Sequence, residues 1–383
     1  MTRRGNLVLS LLFLTALAVP AFDLVFKLDP NPSPLQDEIT FPSFHLDRRA
    51  VRFPGELLIY LKNAMGFRAT LVRVRALIAW RVLGVSSAPE SVIRADPWLF
   101  LAGERMVDNF RRVSPFTDRE LETWRSVLKA RADWLAQRGI RYMVVVAPDK
   151  ESIYREFVPP WLTRVAAPSR LEQLRQAAAT TPGVELLDLS DALERHKDEE
   201  RLYYLSDTHW NDRGAFFGYQ AIAGRLAAWF PDVKMLTDHD FTRQAVVTAG
   251  GDLARMSGLK NDITEPQVHL RLSSADRAAT FADGSPLTFE RMSVRGRKRF
   301  ETRSRLGEIP SATIIRDSFG EALIPFLASH FQSATWLWSY DFSADVIDQQ
   351  RPTVVIQELV ERKLMEVQPK NPDVVGTGRG ASH

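Results

Sequence analysis

The sequence predicts an α/β fold in which helices flank a mostly parallel sheet. Apolar runs rich in β-branched residues alternate with amphipathic helical stretches along most of the chain, which is the order that βαβ units produce. The clearest run, Arg141 to Ala147, is apolar at nearly every position rather than at alternate ones, as a strand buried on both faces requires. The 383 residues are 45% hydrophobic and 25% charged, with no cysteine. That supplies a substantial core and excludes disulfides, thiolate zinc sites, iron–sulfur clusters and a cysteine nucleophile. Fifty Lys and Arg against 47 Asp and Glu leave a net charge of only +3, too small an excess to indicate a nucleic-acid partner.

Taken in order, residues 1–28 read as a signal peptide or signal anchor. Arg3 and Arg4 precede an apolar run from Leu7 to Phe22, and the first acid is Asp23, so the rest of the chain is expected outside the cytoplasm. Ala16-Leu17-Ala18 would permit cleavage, whereas Leu24, Val25, Phe26 and Leu28 extend the apolar character and favour an uncleaved anchor. Residues 29–95 read as a Pro/Asn/Ser-rich tether followed by amphipathic helices, with Leu57, Leu61, Leu71, Val74, Leu77 and Ile78 expected to pack on the main body.

The main domain is expected over 96–368, opening with a strand in Asp96–Leu101. A helix begins after Thr117 and closes at Gly139, and the strand Arg141–Ala147 follows. Then come a helix over 168–179, a strand over 184–189, a helix over 211–230, and strands over 312–316, 335–338 and 353–357. Residues 232–310 have weak periodicity and the pair Gly250-Gly251, and read as an irregular insertion near the site. Residues 369–383, glycine-rich and poor in apolar side chains, read as a disordered tail.

No phosphate-binding glycine loop, His-Glu-x-x-His helix or EF-hand loop occurs in the sequence. Two segments carry the chemistry instead. Ser318, in Arg316-Asp317-Ser318-Phe319-Gly320, follows a buried-looking strand and precedes an expected helix near Gly320, at the strand end where α/β proteins bind ligands. The first amides of that helix are expected to be free to hold an oxyanion. A serine hydroxyl needs a neighbouring base, and His209 is the candidate. Asp207, two residues away in extended backbone, can reach its imidazole and fix the tautomer, with Asn211 capping the next helix. A metal site of Asp207, His209 and Asp212 is the competing arrangement, and an ordinary loop-to-helix cap is the bland one.

With these blocks in this order, the sequence resembles the SGNH-like exopolysaccharide O-acetyltransferases of the AlgJ/AlgX type, across roughly Phe53 to Gln368. The resemblance rests on Trp98-Leu99-Phe100-Leu101, Val146-Ala147-Pro148-Asp149-Lys150, Asp207-Thr208-His209-Trp210-Asn211, Gly251-Asp252-Leu253-Ala254, Arg316-Asp317-Ser318-Phe319-Gly320 and Val355-Ile356-Gln357-Glu358-Leu359-Val360-Glu361-Arg362. It implies an SGNH-hydrolase-like fold and a catalytic triad of Ser318, His209 and Asp207. It also implies acetyl transfer in the periplasm to hydroxyls of an exported, alginate-like polysaccharide, with a multi-pass membrane acyltransferase supplying the donor and the N-terminal segment holding the protein at the inner membrane. No cofactor and no metal are implied. Pro97 stands where the family usually has glycine, as does Arg316 relative to ordinary SGNH esterases.

A carbohydrate esterase sharing the acyl-enzyme, or a non-catalytic polysaccharide-binding assembly protein, are the alternatives. For the acceptor, the stretch Arg291–Arg305 has Glu301 as its only acid among Arg295, Arg297, Lys298, Arg299 and Arg303, and an anionic polymer would be drawn to it. Tyr340, just past a strand bearing Trp336 and Trp338, is the candidate for stacking on a sugar ring.

Overall fold

The computed structural model describes residues 3–26, 28–29, 42, 51–64, 66–88, 92–95, 97–165, 167–288, 291–292 and 299–376. The chain divides into two compact units, Met1–Ser87 and Ala88–His383.

In the first unit Arg3–Phe26 is one 24-residue helix. Among the described residues no helix is long and apolar enough to cross a membrane. Helices Phe53–Ala64 and Arg68–Leu77 follow, the second running into a π-helical turn, Ile78–Val82. Leu71, Val74 and Ile78, expected to be packed, are exposed. Most of the expected tether lies outside the described residues.

The second unit is built on a seven-stranded sheet. Strands β1 (Val92–Ala95) and β2 (Trp98–Leu101) form a separate antiparallel pair, so the strand expected to open the main body is not part of its sheet. The sheet takes β3 (Arg141–Ala147) and β4 (Leu186–Asp188). Next along the chain, β5 (Phe241–Ala249) and β6 (Thr264–Leu272) make a second antiparallel pair inside the region read as irregular. β7 (Thr280–Phe281), β8 (Phe300–Arg303), β9 (Ile309–Arg316), β10 (Phe331–Trp338) and β11 (Val354–Val360) complete the main sheet. Its order is β4-β3-β11-β9-β10-β8-β7. The first five strands run parallel, β8 runs antiparallel to β10, and β7 runs antiparallel to β8.

Alternation along the parallel strands builds two cores, because successive side chains point to opposite faces. On β3, Met143, Val145 and Ala147 enter one core with helix Asp212–Trp229, while Tyr142, Val144 and Val146 enter the other with helices Asp118–Ala136 and Arg170–Ala179. Both of these last helices start with a reciprocal capping box, Thr117 with Glu120 and Ser169 with Glu172, satisfying amides that a helix start otherwise strands. Trp336 is wholly buried, a core position on β10.

The segment read as a disordered tail is ordered as far as Gly376. The buried Arg131 guanidinium requires acceptors, and it finds Asn371 Oδ1 at 2.8 Å, the Lys370 carbonyl at 2.6 Å and Gln357 Oε1 at 2.9 Å. Residues 377–383 lie outside the described ones.

Parallel strands share one C-terminal edge. There β3 delivers Asp149 and Lys150, β9 delivers Asp317 and Ser318, β10 delivers Tyr340, and β11 delivers Glu361 and Arg362.

Candidate active site

Asp207 and His209 sit in a short loop before helix Asp212–Trp229, and the sequence sets that loop by capping. Asn211 Oδ1 accepts the amides of Arg213 and Gly214, each at 3.0 Å, which fixes where the helix begins. Upstream, Asp207 Oδ1 lies 2.6 Å from His209 Nδ1 and accepts the His209 backbone amide at 3.0 Å. Its other oxygen accepts the Asp252 amide at 2.8 Å. These donors and the imidazole outweigh burial and hold the Asp207 carboxyl well below the usual range.

His209 shows the opposite balance of the same pair. Burial pulls the imidazole pKa down, the Asp207 hydrogen bond and charge push it up, and the net direction is upward. The side chain is 29% exposed, yet Nε2 itself is shielded from solvent and has no hydrogen-bond partner among the described residues. A buried ring nitrogen left bare is costly, and it is where a substrate or nucleophile hydroxyl would bond.

The turn that carries Ser318 lies against the ring. Phe319, next to Ser318, has its ring centroid 5.0 Å from that of His209, and its carbonyl accepts the Trp210 indole N–H at 3.1 Å. The structure therefore brings the Ser318 turn to the Asp207–His209 pair without a hydrogen bond from Ser318 to Nε2. Apo triads are often open in this way.

One expectation about the turn is corrected. Only a single 3-10 turn, Phe319–Glu321, follows Ser318, and its amides are not free as a group. Phe319 N–H donates to Asp317 Oδ1 at 2.8 Å, and Glu321 N–H to the Ser318 carbonyl at 3.2 Å. Asp317 Oδ1 mimics the preceding turn of a helix and consumes the donor that a free helix start would offer. Of the amides expected there, that of Ser318 is left as a candidate to hold an oxyanion.

Below the turn are buried ionisable groups that the sequence reading missed. Glu358 is 2% exposed. It accepts Asp317 N–H at 3.1 Å, and burial with the Asp317 charge pushes its pKa well up. Gly320 is required here, since a Cβ at that position would lie 2.7 Å from the Glu358 carboxylate. Asp317 Oδ2 accepts Val360 N–H at 2.8 Å and the Tyr340 hydroxyl at 3.4 Å. Tyr340, expected to meet sugar, thus spends its hydroxyl on the nucleophile turn. Arg362 bonds Asp149 at 2.7 Å and Glu104 at 2.9 Å, with its guanidinium 5.4 Å from the Phe319 ring centroid.

Lys150 and Asp252 hold the histidine loop. Lys150 Nζ, buried, donates to the carbonyls of Asp207 at 2.7 Å, Tyr204 at 3.1 Å and Leu205 at 3.4 Å. Burial brings its pKa down to about 8. Asp252 accepts Thr208 N–H at 2.8 Å and the Thr208 hydroxyl at 2.6 Å. Gly251 permits the approach, because a Cβ there would stand 2.4 Å from Asp207. All four groups belong to sequence blocks already singled out, and those blocks were the available signal.

Among the described residues, Asp207, His209 and Asp252 are the group whose donor atoms lie close enough together to hold a metal ion, within 4.8 Å. The expected third ligand, Asp212, is elsewhere, on His269 Nδ1 at 3.4 Å and Leu270 N–H at 2.9 Å. Of the basic stretch, Arg295, Arg297 and Lys298 lie outside the described residues, and Arg299 faces Glu301 at 3.8 Å.

The family model for the SGNH hydrolase-like domain of the acetyltransferase AlgX matches residues 92–287, a span that holds Asp207 and His209 and stops before Ser318. The "Probable alginate O-acetylase AlgJ" of Pseudomonas aeruginosa is 28% identical over 164 residues, 43% of this chain and 38% of that protein. The match thus spans well under half the length of that curated relative. Among solved structures, PatB1 of Bacillus cereus superposes with a TM-score of 0.54 at 15% identity, covering 71% of this chain and 96% of that one. A DHHW family protein from Eubacterium siraeum gives 0.52 at 15% identity, covering 72% and 92%. These likenesses establish a shared fold.

Proposed function

The chain belongs to the AlgX-type SGNH hydrolase-like acetyltransferase family, and from that premise we propose that it is a periplasmic O-acetyltransferase acting on hydroxyls of an exported polysaccharide. Ser318 Oγ attacks the donor's acetyl carbonyl while its proton passes to His209 Nε2. The leaving group departs with that proton, and the acetyl rests on Ser318 as an ester. A sugar hydroxyl then repeats the sequence as nucleophile and carries the acetyl away. Asp207 holds Nδ1 protonated, so Nε2 is the basic nitrogen. The observation that carries this reading is the bare, shielded Nε2 of an Asp207-paired imidazole beside the Ser318 turn.

The donor would come from a multi-pass membrane acyltransferase, and the N-terminal segment would keep the protein at the inner membrane. An alginate-like uronate is the proposed acceptor, with Arg297, Lys298 and Arg299 contributing charge and Tyr340 beside the nucleophile turn. Incubating the protein with a soluble acetyl ester, with and without uronate oligosaccharide, tests the reading. Acetylated oligosaccharide supports transfer, free acetate alone supports an esterase, and neither product supports a binding protein.

A further inference from the structure

The first unit carries an apolar surface for which the catalytic reading has no use. On the helix Arg68–Leu77 and its π-helical continuation, Leu71, Val74, Ile78, Val82 and Leu83 are exposed, Val82 at 73% and Leu83 at 65%. Leu71, Val74 and Ile78 recur three and four residues apart, so they form one stripe on one side of the helix. Off the stripe, Ala76 and Ala79 are buried, while Val72 and Arg73 are exposed as well. Arg68 and Arg75, three before and four after Leu71, lie beside the stripe and are exposed, as is Arg81.

Charge on this segment is of one sign. Between Glu56 and Glu90 the sequence has Lys62, Arg68, Arg73, Arg75 and Arg81 and no acid. A stripe of aliphatic side chains bordered by arginines, with no carboxylate for more than thirty residues, matches one kind of surface closely. The aliphatic groups fit the acyl boundary of a bilayer, and the guanidiniums fit the phosphates of anionic lipid headgroups. A protein partner would need its own acidic rim around an apolar groove, whereas an anionic bilayer supplies both chemistries everywhere along its surface.

We propose that the helix Arg68–Val82 lies in the interface of an anionic membrane, with Leu71, Val74, Ile78 and Val82 in the acyl boundary and Arg68, Arg75 and Arg81 at the phosphates. The inference rests on the exported, membrane-facing location proposed above but not on the chemistry at Ser318. It gives the protein a second membrane contact, independent of the helix Arg3–Phe26.

The chain has no cysteine, so Ile78→Cys in the full-length protein gives a unique position for a polarity-sensitive fluorophore, and Glu122→Cys on the exposed face of helix Asp118–Ala136 gives a control. Both are reconstituted with vesicles of phosphatidylcholine alone or mixed with phosphatidylglycerol, with lipids carrying brominated acyl chains as quenchers. The expected result is a blue-shifted, bromine-quenched signal at position 78 in the anionic vesicles, reversed by salt, and an aqueous signal at position 122. Changing Arg68, Arg75 and Arg81 to Gln should lower the insertion equilibrium about fivefold per arginine. Flotation with vesicles but an aqueous signal at position 78 overturns the interfacial helix and leaves the N-terminal anchor standing. A blue shift without bromine quenching means that a second copy or another protein covers the stripe, and also overturns it. Failure to float with anionic vesicles at all overturns both membrane contacts, while acetyl transfer assayed on the same preparation reports separately on the catalytic reading.

Discussion

At His209 two effects compete: burial favours the neutral imidazole, and Asp207 at 2.6 Å from Nδ1 favours the charged one. The carboxylate wins, and the pKa stands above its ordinary value. A general base works only when neutral, so kcat/KM for acetyl transfer should rise with pH along a limb centred above about 6.5. A pH–rate profile centred below that value would reject the assignment. The linkage runs the other way. A raised folded pKa stabilises the protein below the unfolded value, and this increment is lost as pH climbs through the folded one, so activity appears as that stability fades. Ser318→Ala should remove transfer and leave the thermal midpoint nearly unchanged, because the side chain is small and only partly buried. His209→Ala should cost about a hundred- to ten-thousandfold. At Glu358 burial and the Asp317 charge push the pKa well up and so favour the neutral acid, whose carboxyl accepts Asp317 N–H. Glu358→Gln keeps an acceptor and should retain most activity at neutral pH, whereas Glu358→Ala strands the buried Asp317 amide at about 1–3 kcal/mol. Equal loss in both variants, measured by turnover and denaturant midpoint, would show that the charge matters instead.

Elements differed in how much of them the sequence carried, and the reason is the range of the interactions that set them. β3 and the helices after Thr117 and Ser169 are specified by local apolar runs and capping boxes, and they fall where period and caps predict. β5 and β6 were unreadable because eight of nine β5 side chains are at least partly exposed without strict alternation, leaving no apolar period to detect. The Asp207–His209 pair was legible from its two-residue spacing, but its supports were not. Lys150 reaches Asp207 across 57 positions of sequence, and Asp252 reaches Thr208 across 44, contacts made only by the meeting of β3, the histidine loop and the segment after β5. Lys150 is therefore the sharpest test at this scale. Its ammonium holds three carbonyls of one loop from within the core, and Lys150→Met should fill the same volume while taking the donor from the Tyr204 and Asp207 carbonyls; that of Leu205 keeps the Leu99 amide at 2.9 Å. Loss of about 1–3 kcal/mol, read by chemical denaturation, should accompany a fall in kcat with little change in KM, since the loop positions His209 rather than substrate. A stable variant with full kcat would show that the loop is held without the ammonium.

For the whole molecule, chemistry and location are joined by chain order. Every residue of the candidate site, from Lys150 to Arg362, lies after the apolar run Leu7–Phe22, and the arginines that orient that run, Arg3 and Arg4, lie before it. Positive charge stays on the cytoplasmic side while the following segment is translocated, so the two arginines and the site are expected on opposite sides of the inner membrane. The absence of cysteine fits either side and leaves the orientation to the charges. A reporter that works only outside the cytoplasm, fused after Gln368, should be active, and a cytoplasmic reporter at the same point should be silent. Replacing Arg3 and Arg4 with Glu should weaken the first signal without altering acetyl transfer by protein purified from the same cells, because neither arginine belongs to the site. Activity of the cytoplasmic reporter in the unaltered chain would place Ser318 away from any exported polysaccharide. In that case the acyl-enzyme chemistry could stand while its acceptor would have to be sought among intracellular hydroxyls.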